Sequence, residues 1–512
     1  MRWILPSNSA RETAVAGGLR RASKFYVFLW RVREELFDEA FQEELAAAYE
    51  PRGQDPCPPA MLAMVTLLQR YTGLGDAGAV DQAENDQRWQ LVLGTLGKER
   101  AAFGQGSLVR FRAKLIAHDL DKRLVDRTVE LAKRTKLFGW KQLRVALDSS
   151  PLEGAGRVED TWNLIGRAMA KVVAAVAKAT DVSEEALIKG ARLTVLSAAS
   201  VKAALDIDWG DPEERHEALQ QLVGEAERLD AWVMKTLQAK ATKPPVSDAL
   251  AILRRVVDQD LEPDPEGGGR RIREGVAHER VISVGDPEMR HGRKSKTKAI
   301  NGYKRHIIIA NRIILGAAVE PANRAEDVPT SRLLNDARRH GAVRVAYFDR
   351  GYLRAPEIAQ MWRKGVELYS RAYRSADIGL FGKELFKINL EAGTVTCPAG
   401  NVAQIEPADI ASFDPSDCRC CPLRKNCTSS QQRTVAIHRN EDMLMHFRQL
   451  QQSPHGRLRY RQRTEVEHRL GRIDAIQGSK ARYKGTRKNE LDLRRAAAIA
   501  NLQEVDRLRR AG

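Results

Sequence analysis

VRVAYFDRGYL, Val343 to Leu353, is an apolar run that stops on an acid and turns at a glycine. Side chains alternate along a strand, so Val345, Tyr347 and Asp349 share a face, and the Arg350-Gly351 step marks a turn. The stretch reads as a buried strand that delivers Asp349 to its C-terminal end. A carboxylate at such an edge suits a metal ion; it equally suits the cap of the turn or helix that follows.

A second run, QLRVALDSSPLEGAG, ends its apolar stretch on Asp148. Two neighbouring strands that each present an Asp at the same end can place both carboxylates on one divalent ion. The runs YKRHIIIA and RIILGAAV, separated by Asn311, read as a hairpin. A helix over 327–340, the strand ending at Asp349, a helix over 355–364 and the strand VELYSRAY complete a mixed sheet. Between the two acidic strands, from Gly166 to Glu262, the pattern is helical, with Asp181, Ser183 and Asp211 or Pro212 as candidate helix starts.

Residues 1–140 also read as helical. QGSLVRFRAKLIAHDLDKRLVDRTVELAKRT offers Ser107 as N-cap and places Arg110, Arg112, Lys114, Lys122, Arg123 and Arg127 on exposed faces. Those cations fit either the solvated surface of a helical bundle or a DNA-binding module. The tract HGRKSKTK, 291–298, which includes Arg293 and Lys294, fits phosphate contact or simple solvation.

Five of the six cysteines fall between Cys397 and Cys427. Cys397, Cys418, Cys421 and Cys427 suit a tetrahedral structural zinc site, with Cys420 left over; the alternative is a set of free thiols. Further on, SPHGRLRYRQRTEVEHRLGRIDAIQG predicts one long helix capped by Ser453, with Val466, Leu470 and Ile473 buried. Tyr460, Arg463, Glu467, Gly471 and Asp474 line another stripe, and Glu465 lies roughly 200° from Glu467, on a different face.

The chain holds 84 Lys and Arg against 67 Asp and Glu, a net charge of +17, which points to a polyanionic partner. The last 57 residues hold 16 Lys and Arg against 7 Asp and Glu, the layout of a basic face or tail. No run approaches the ~18 apolar residues that span a bilayer, and the N-terminus lacks a signal-peptide layout, so a cytoplasmic protein without membrane contact is expected.

Taken in order, LDSSPLEG, FDRGYL and Tyr460-x2-Arg463-x3-Glu467 resemble the three acidic motifs of DDE transposases encoded by bacterial insertion sequences. The segments Asp286 to Ser295, Gly302 to Lys304, Pro321 to Glu326 and Cys397 to Cys427 resemble those of a large branch of that family. One departure is Asp474, where the related pattern carries Lys; Arg469, Arg472 and Lys480 are nearby cations that could substitute.

The resemblance implies an α/β fold: an RNase H-like mixed sheet with helices on both faces, an N-terminal helical domain and two insertions, one helical and one cysteine-rich. The segments would be 1–140 (helical, DNA-binding), 141–165 (core), 166–280 (helical insertion), 281–380 (core), 381–440 (cysteine-rich, zinc) and 441–512 (helical, with the catalytic glutamate and a basic tail). It implies Asp148, Asp349 and Glu467 as catalytic ligands of two Mg2+ or Mn2+ ions, Asp148 bridging both. Tyr460, Arg463, Arg293, Lys294 and Lys304 would contact DNA. The expected partners are double-stranded DNA, as terminal inverted repeats and target, and further copies of the chain assembled on it, near the bacterial nucleoid. A nuclease that cuts without joining, and an inactive DNA-binding descendant, are the competing readings.

Overall fold

The computed structural model describes residues 2–5, 10–50, 57–135, 140–267, 269–294, 297–373 and 379–511; Ser295 and Lys296 of the basic tract lie outside them. Six strands form the main sheet: β1 (Gln142–Glu153), β2 (Arg290–Arg293), β3 (Ala299–Ala310), β4 (Ile313–Pro321), β5 (Ala342–Tyr347) and β6 (Glu367–Tyr369). β1 lies at the centre, antiparallel to β3 and parallel to β5. β6 continues the parallel half, while β2 and β4 both pair antiparallel with β3. This is the mixed, RNase H-like arrangement.

The isoleucines of β3 and β4 favour a pleated, doubly covered surface. The two strands turn through Asn311 and Arg312, at φ +48° and +68°, the pair of left-handed residues that a tight two-residue hairpin needs. In the parallel half, Ala146 of β1 pairs with Tyr347 of β5. Two residues past that pair on either strand stand Asp148 and Asp349, so one register brings both acids to the same edge.

Helices cover both faces. On one, Leu143, Val145, Leu147 and Ile308 share a continuous core with α1 (Lys24–Leu36), α2 (Pro59–Thr72) and α3 (Leu120–Lys133). The N-terminal helices therefore pack as a layer of the sheet. Several cations expected on their surface pair internally instead: Arg112 with Asp76, Arg123 with Glu44, and the buried Arg127 with Asp38. Ser107 is no cap either, because its helix begins at Gln105 after Gly104.

The helical insertion, with α4 (Thr161–Thr180), α5 (Pro212–Leu237) and α6 (Val246–Asp260), closes around a core of its own. Ser183 and Asp211 cap helices there, whereas Asp181 sits in the left-handed position that ends α4. α7 (Thr330–Arg338) and α8 (Pro356–Arg363) flank β5, and the cysteine segment forms short strands around Phe386, Val395, Phe413 and Val435.

The helix expected over 453–478 is interrupted. Pro454–Tyr460 is α-helical with the Ser453 side chain accepting from Gly456 N, Arg461–Arg463 tighten to 3-10 geometry, and α9 (Thr464–Gln477) follows. Val466, Leu470 and Ile473 of α9 pack against Ala146, Ile307, Val345 and Tyr347 on the second face of the sheet.

The last segment, expected as a basic tail, is α10 (Thr486–Ala511), a helix whose 491–500 stretch is wholly buried. Its Asn501 brackets one backbone position of β4, accepting from Ile314 N at 2.7 Å and donating to Ile314 O at 2.8 Å. Arg494 pairs with Asp119, Asp121 and Glu490, and Asp492 takes both Arg495 and Arg70 of α2. Much of the positive charge counted in this segment faces inward, onto carboxylates. Among the described residues no helix is long and apolar enough to cross a membrane.

Candidate active site

β1 brings Asp148 to the α9 face of the sheet, because it alternates with Leu147 and shares the side of Ala146. Its Oδ1 accepts from the Ser149 backbone N–H at 2.8 Å. Asp349 follows β5 as the N-cap of a 3-10 turn, Arg350–Arg354, with Oδ1 accepting from Arg350 N at 2.8 Å. The capping role and the edge position thus coexist on one side chain. Glu467 lies in the first turn of α9, with its side chain 46% exposed.

Arg463 gathers these acids. Its Nη1 donates to Asp148 Oδ2 at 2.7 Å, and Nη2 pairs with Glu467, four residues on. Burial opposes the charge of this arginine, but Asp148, Tyr460, Glu467 and Asp349 around it hold its proton more firmly than usual. Asp148 is pushed up to about 6: burial raises it, Arg463 and the Ser149 N–H pull it back, and Asp349 and Glu467 raise it again. The three carboxylates therefore share one electrostatic neighbourhood, with the Arg463 guanidinium among them.

Tyr460 carries two cations against its ring, Arg463 at 5.5 Å and Arg371 at 5.2 Å from the centroid. Glu465 faces elsewhere, lining a cavity of about 310 Å³ with Arg469, Arg472 and Glu504.

The other expected DNA contacts are not at this centre. Arg293 pairs in register with Ala299, whereas Asp148 pairs with Ile307 on the same strand, a separation of roughly 25 Å at ~3.3 Å per residue. Lys294 is exposed beside it. Lys304 lies closer, opposite Pro151, and its Nζ donates to Arg324 O at 2.9 Å.

Asp474 proves to be the partner of Arg305, at 2.8 Å. The guanidinium of Arg305, almost wholly buried, also donates to Ser150, Pro151 O, Gln477 and Gly478 O, tying β1 to the end of α9. Of the three cations considered as substitutes, Arg469 is buried against Glu504, Arg472 donates to Gln503, and Lys480 is exposed just beyond α9.

Motif residues outside the triad have structural work. The buried Asp286 accepts from Tyr303 OH at 2.6 Å and from Gly485 N at 3.0 Å, fixing the entry of α10; burial raises both Asp286 and Tyr303. Glu326 accepts from Ser149 Oγ at 2.8 Å. Its segment, Pro321 to Glu326, resembles a family motif, but no local pattern ties that glutamate to Ser149.

The donor set Asp148, Asp349 and Glu467 consists of oxygen donors, as hard divalent cations require. Burial with two acidic neighbours leaves Asp148 short of positive charge even beside Arg463, so a divalent cation fits the chemistry. Four thiols form the other donor set. Cys397, Cys418 and Cys427 pack against one small core; burial raises the Cys427 thiol, Arg433 pulls it back, and Cys418, Cys397 and Cys421 raise it further. Among the described residues no three His, Cys, Asp or Glu side chains already surround a point at ligand distance.

Residues 396–505 match the family model described as a transposase DDE domain, and residues 23–114 match that of a transposase domain, DUF772. The first match spans the cysteine segment, Tyr460, Arg463 and Glu467, whereas Asp148 and Asp349 lie outside it. No curated protein and no solved structure matches the chain.

Proposed function

Because residues 396–505 and 23–114 match the models of these two transposase domains, we propose that the chain is a DDE transposase of an insertion sequence, which cuts DNA at the ends of its element and joins them to target DNA at a centre formed by Asp148, Asp349 and Glu467. The observation that carries this reading is Arg463, paired with Asp148 and Glu467 and held also by the charge of Asp349. Two acids from separate segments of the chain pair with it, and the charge of a third acts on it.

Asp148, Asp349 and Glu467 would hold two Mg2+ or Mn2+ ions. Bound there, such ions activate an attacking oxygen and stabilise a leaving one in phosphodiester chemistry. The chain's own groups do the rest. Arg463 neutralises the carboxylates of the free protein, and its fork suits a phosphate once DNA arrives. Tyr460 keeps that guanidinium against its ring, directing it along the acidic edge. Water is the first nucleophile, at the transposon end, and the 3′-hydroxyl so freed is the second, at the target.

The partners are the terminal inverted repeats and target DNA, held by copies of this chain assembled on the DNA in the bacterial cytoplasm. Lys304, Arg293 and Lys294 serve the duplex away from the scissile bond. Cys397, Cys418, Cys421 and Cys427 hold a structural Zn2+, supported by the packing of Cys397, Cys418 and Cys427 at one small core and by the effect of Cys421 on the Cys427 thiol.

Strand cleavage and strand transfer on DNA bearing the element's own ends, in Mg2+ and in EDTA, test this reading. Activity is expected only with the metal. Full activity of Asp349→Asn would overturn it.

A further inference from the structure

Behind the sheet, on the face opposite Arg463, lies a chain of polar groups that the chemistry above does not use. Tyr352 and His306 are both completely buried, and His306 Nδ1 lies 3.0 Å from Tyr352 OH. The Ser149 hydroxyl neighbours that of Tyr352 and can accept from it, and Ser149 Oγ donates to Glu326 Oε1 at 2.8 Å. The four residues come from β3, the turn after Asp349, the position after Asp148, and the loop after β4.

The direction of the chain follows from its end. A carboxylate only accepts, so Ser149 donates to Glu326, Tyr352 donates to Ser149, and His306 donates Nδ1–H to Tyr352. His306 must then be neutral with a bare Nε2. Burial pushes it down to about 3, with Lys304 and Arg332 adding to the effect, and among the described residues its Nε2 has no hydrogen-bond partner. The other oxygen of Glu326 fills the space over Gly351: a Cβ there would come within 2.0 Å of Oε2. Gly351 thus lets the glutamate close on the turn that Asp349 caps.

We propose that Tyr352 is a positioning residue of the carboxylate centre: through Ser149 and Glu326 on one side and His306 on the other, its hydroxyl fixes the spacing between Asp148 and Asp349. Ser149 adjoins one acid, and Tyr352 sits in the turn capped by the other. Charge neighbours of the Tyr352 hydroxyl are Glu326, Asp148 and Asp349. The inference rests on the metal-binding role of the two aspartates. Hydrogen-bonded supports of metal ligands typically set affinity by about 10- to 100-fold.

The test is Mn2+ binding to the full-length, DNA-free protein, followed by calorimetry and by the electron-spin resonance of free Mn2+, so that no cleavage is needed. Tyr352→Phe and Ser149→Ala each delete one hydroxyl and little volume. Both are expected to weaken Mn2+ binding about tenfold, and Ser149→Thr, which keeps the hydroxyl, to recover most of it. Asp349→Asn is expected to lose binding altogether. Parent-like affinity in Tyr352→Phe and Ser149→Ala, with binding lost in Asp349→Asn, would overturn the positioning role alone. Parent-like affinity in Asp349→Asn would overturn the metal centre and the inference with it.

Discussion

Nη1 of Arg463 lies 2.7 Å from Oδ2 of Asp148, with both side chains 15% exposed, and the same guanidinium reaches the more exposed Glu467. A partly buried ion pair is costly to break by removing one partner, because the other charge is left uncompensated. Arg463→Ala is expected to destabilise the metal-free protein by about 2 kcal/mol, nearly all through Asp148, since the Glu467 contact is screened by solvent. If a divalent cation takes over this neutralising role, Mn2+ should raise the melting temperature of the variant more than that of the parent. Thermal melts in EDTA and in Mn2+ check both; equal Mn2+ gains would mean the cation binds elsewhere.

Asp148 supplies a pH dependence of the metal-free protein. Its carboxyl is raised from 3.8 to about 6, so between those values the folded state holds a proton that the unfolded chain has released. Stability from this group is therefore complete below about pH 4 and falls as pH rises to about 6. Above that, an ionised and largely buried carboxylate costs about 3 kcal/mol at 1.36 kcal/mol per unit. Asp148→Asn removes this titration while also removing the partner of Arg463, so its stability relative to the parent in EDTA is expected to rise between pH 4 and pH 7.5. Melting temperatures at both pH values measure it; a constant difference would place its cause outside this titration.

Both aspartates were legible because each ends a run of alternating or continuous apolar residues, a local pattern. Their shared edge depends on the Ala146–Tyr347 register, which no single segment encodes. Where the charge of α10 goes was hidden for a related reason. Counting Arg494 and Arg495 gives the sign of a segment, but not that Asp121 and Asp492 wait inside to receive them. The break at Arg461–Arg463 was equally hidden, since those residues include neither glycine nor proline. Arg463 itself was read as a DNA contact on the stripe of Glu467; its bond to Asp148 spans 315 residues of chain.

Asp474 occupies a position where the resembling pattern carries Lys. Here its carboxylate faces Arg305, whose side chain is only 2% exposed. Restoring the cation with Asp474→Lys places like charges together at the end of α9, and is expected to cost about 2 kcal/mol where Asp474→Asn costs less than 1 kcal/mol, Asp474 being about half exposed. Chemical denaturation of the two variants separates these outcomes. A Lys variant as stable as the Asn variant would show that Arg305 is held by its carbonyl partners alone.

The four thiols make a separate prediction about metal content. Cys397, Cys418 and Cys427 border the small core of Phe386, Val395, Phe413 and Val435, while Cys420 is exposed. Thiolates, not thiols, bind zinc, and the raised Cys427 thiol gives up its proton only when the ion repays its burial. Purified protein is therefore expected to carry a single zinc per chain, released on acidification or by a thiol-blocking mercurial. Cys418→Ser and Cys427→Ser should lose the ion and lower the melting temperature, whereas Cys420→Ser should do neither. Elemental analysis alongside thermal melts decides it: zinc-free protein, or zinc retained in Cys427→Ser, would mean that these thiols serve the core by packing alone.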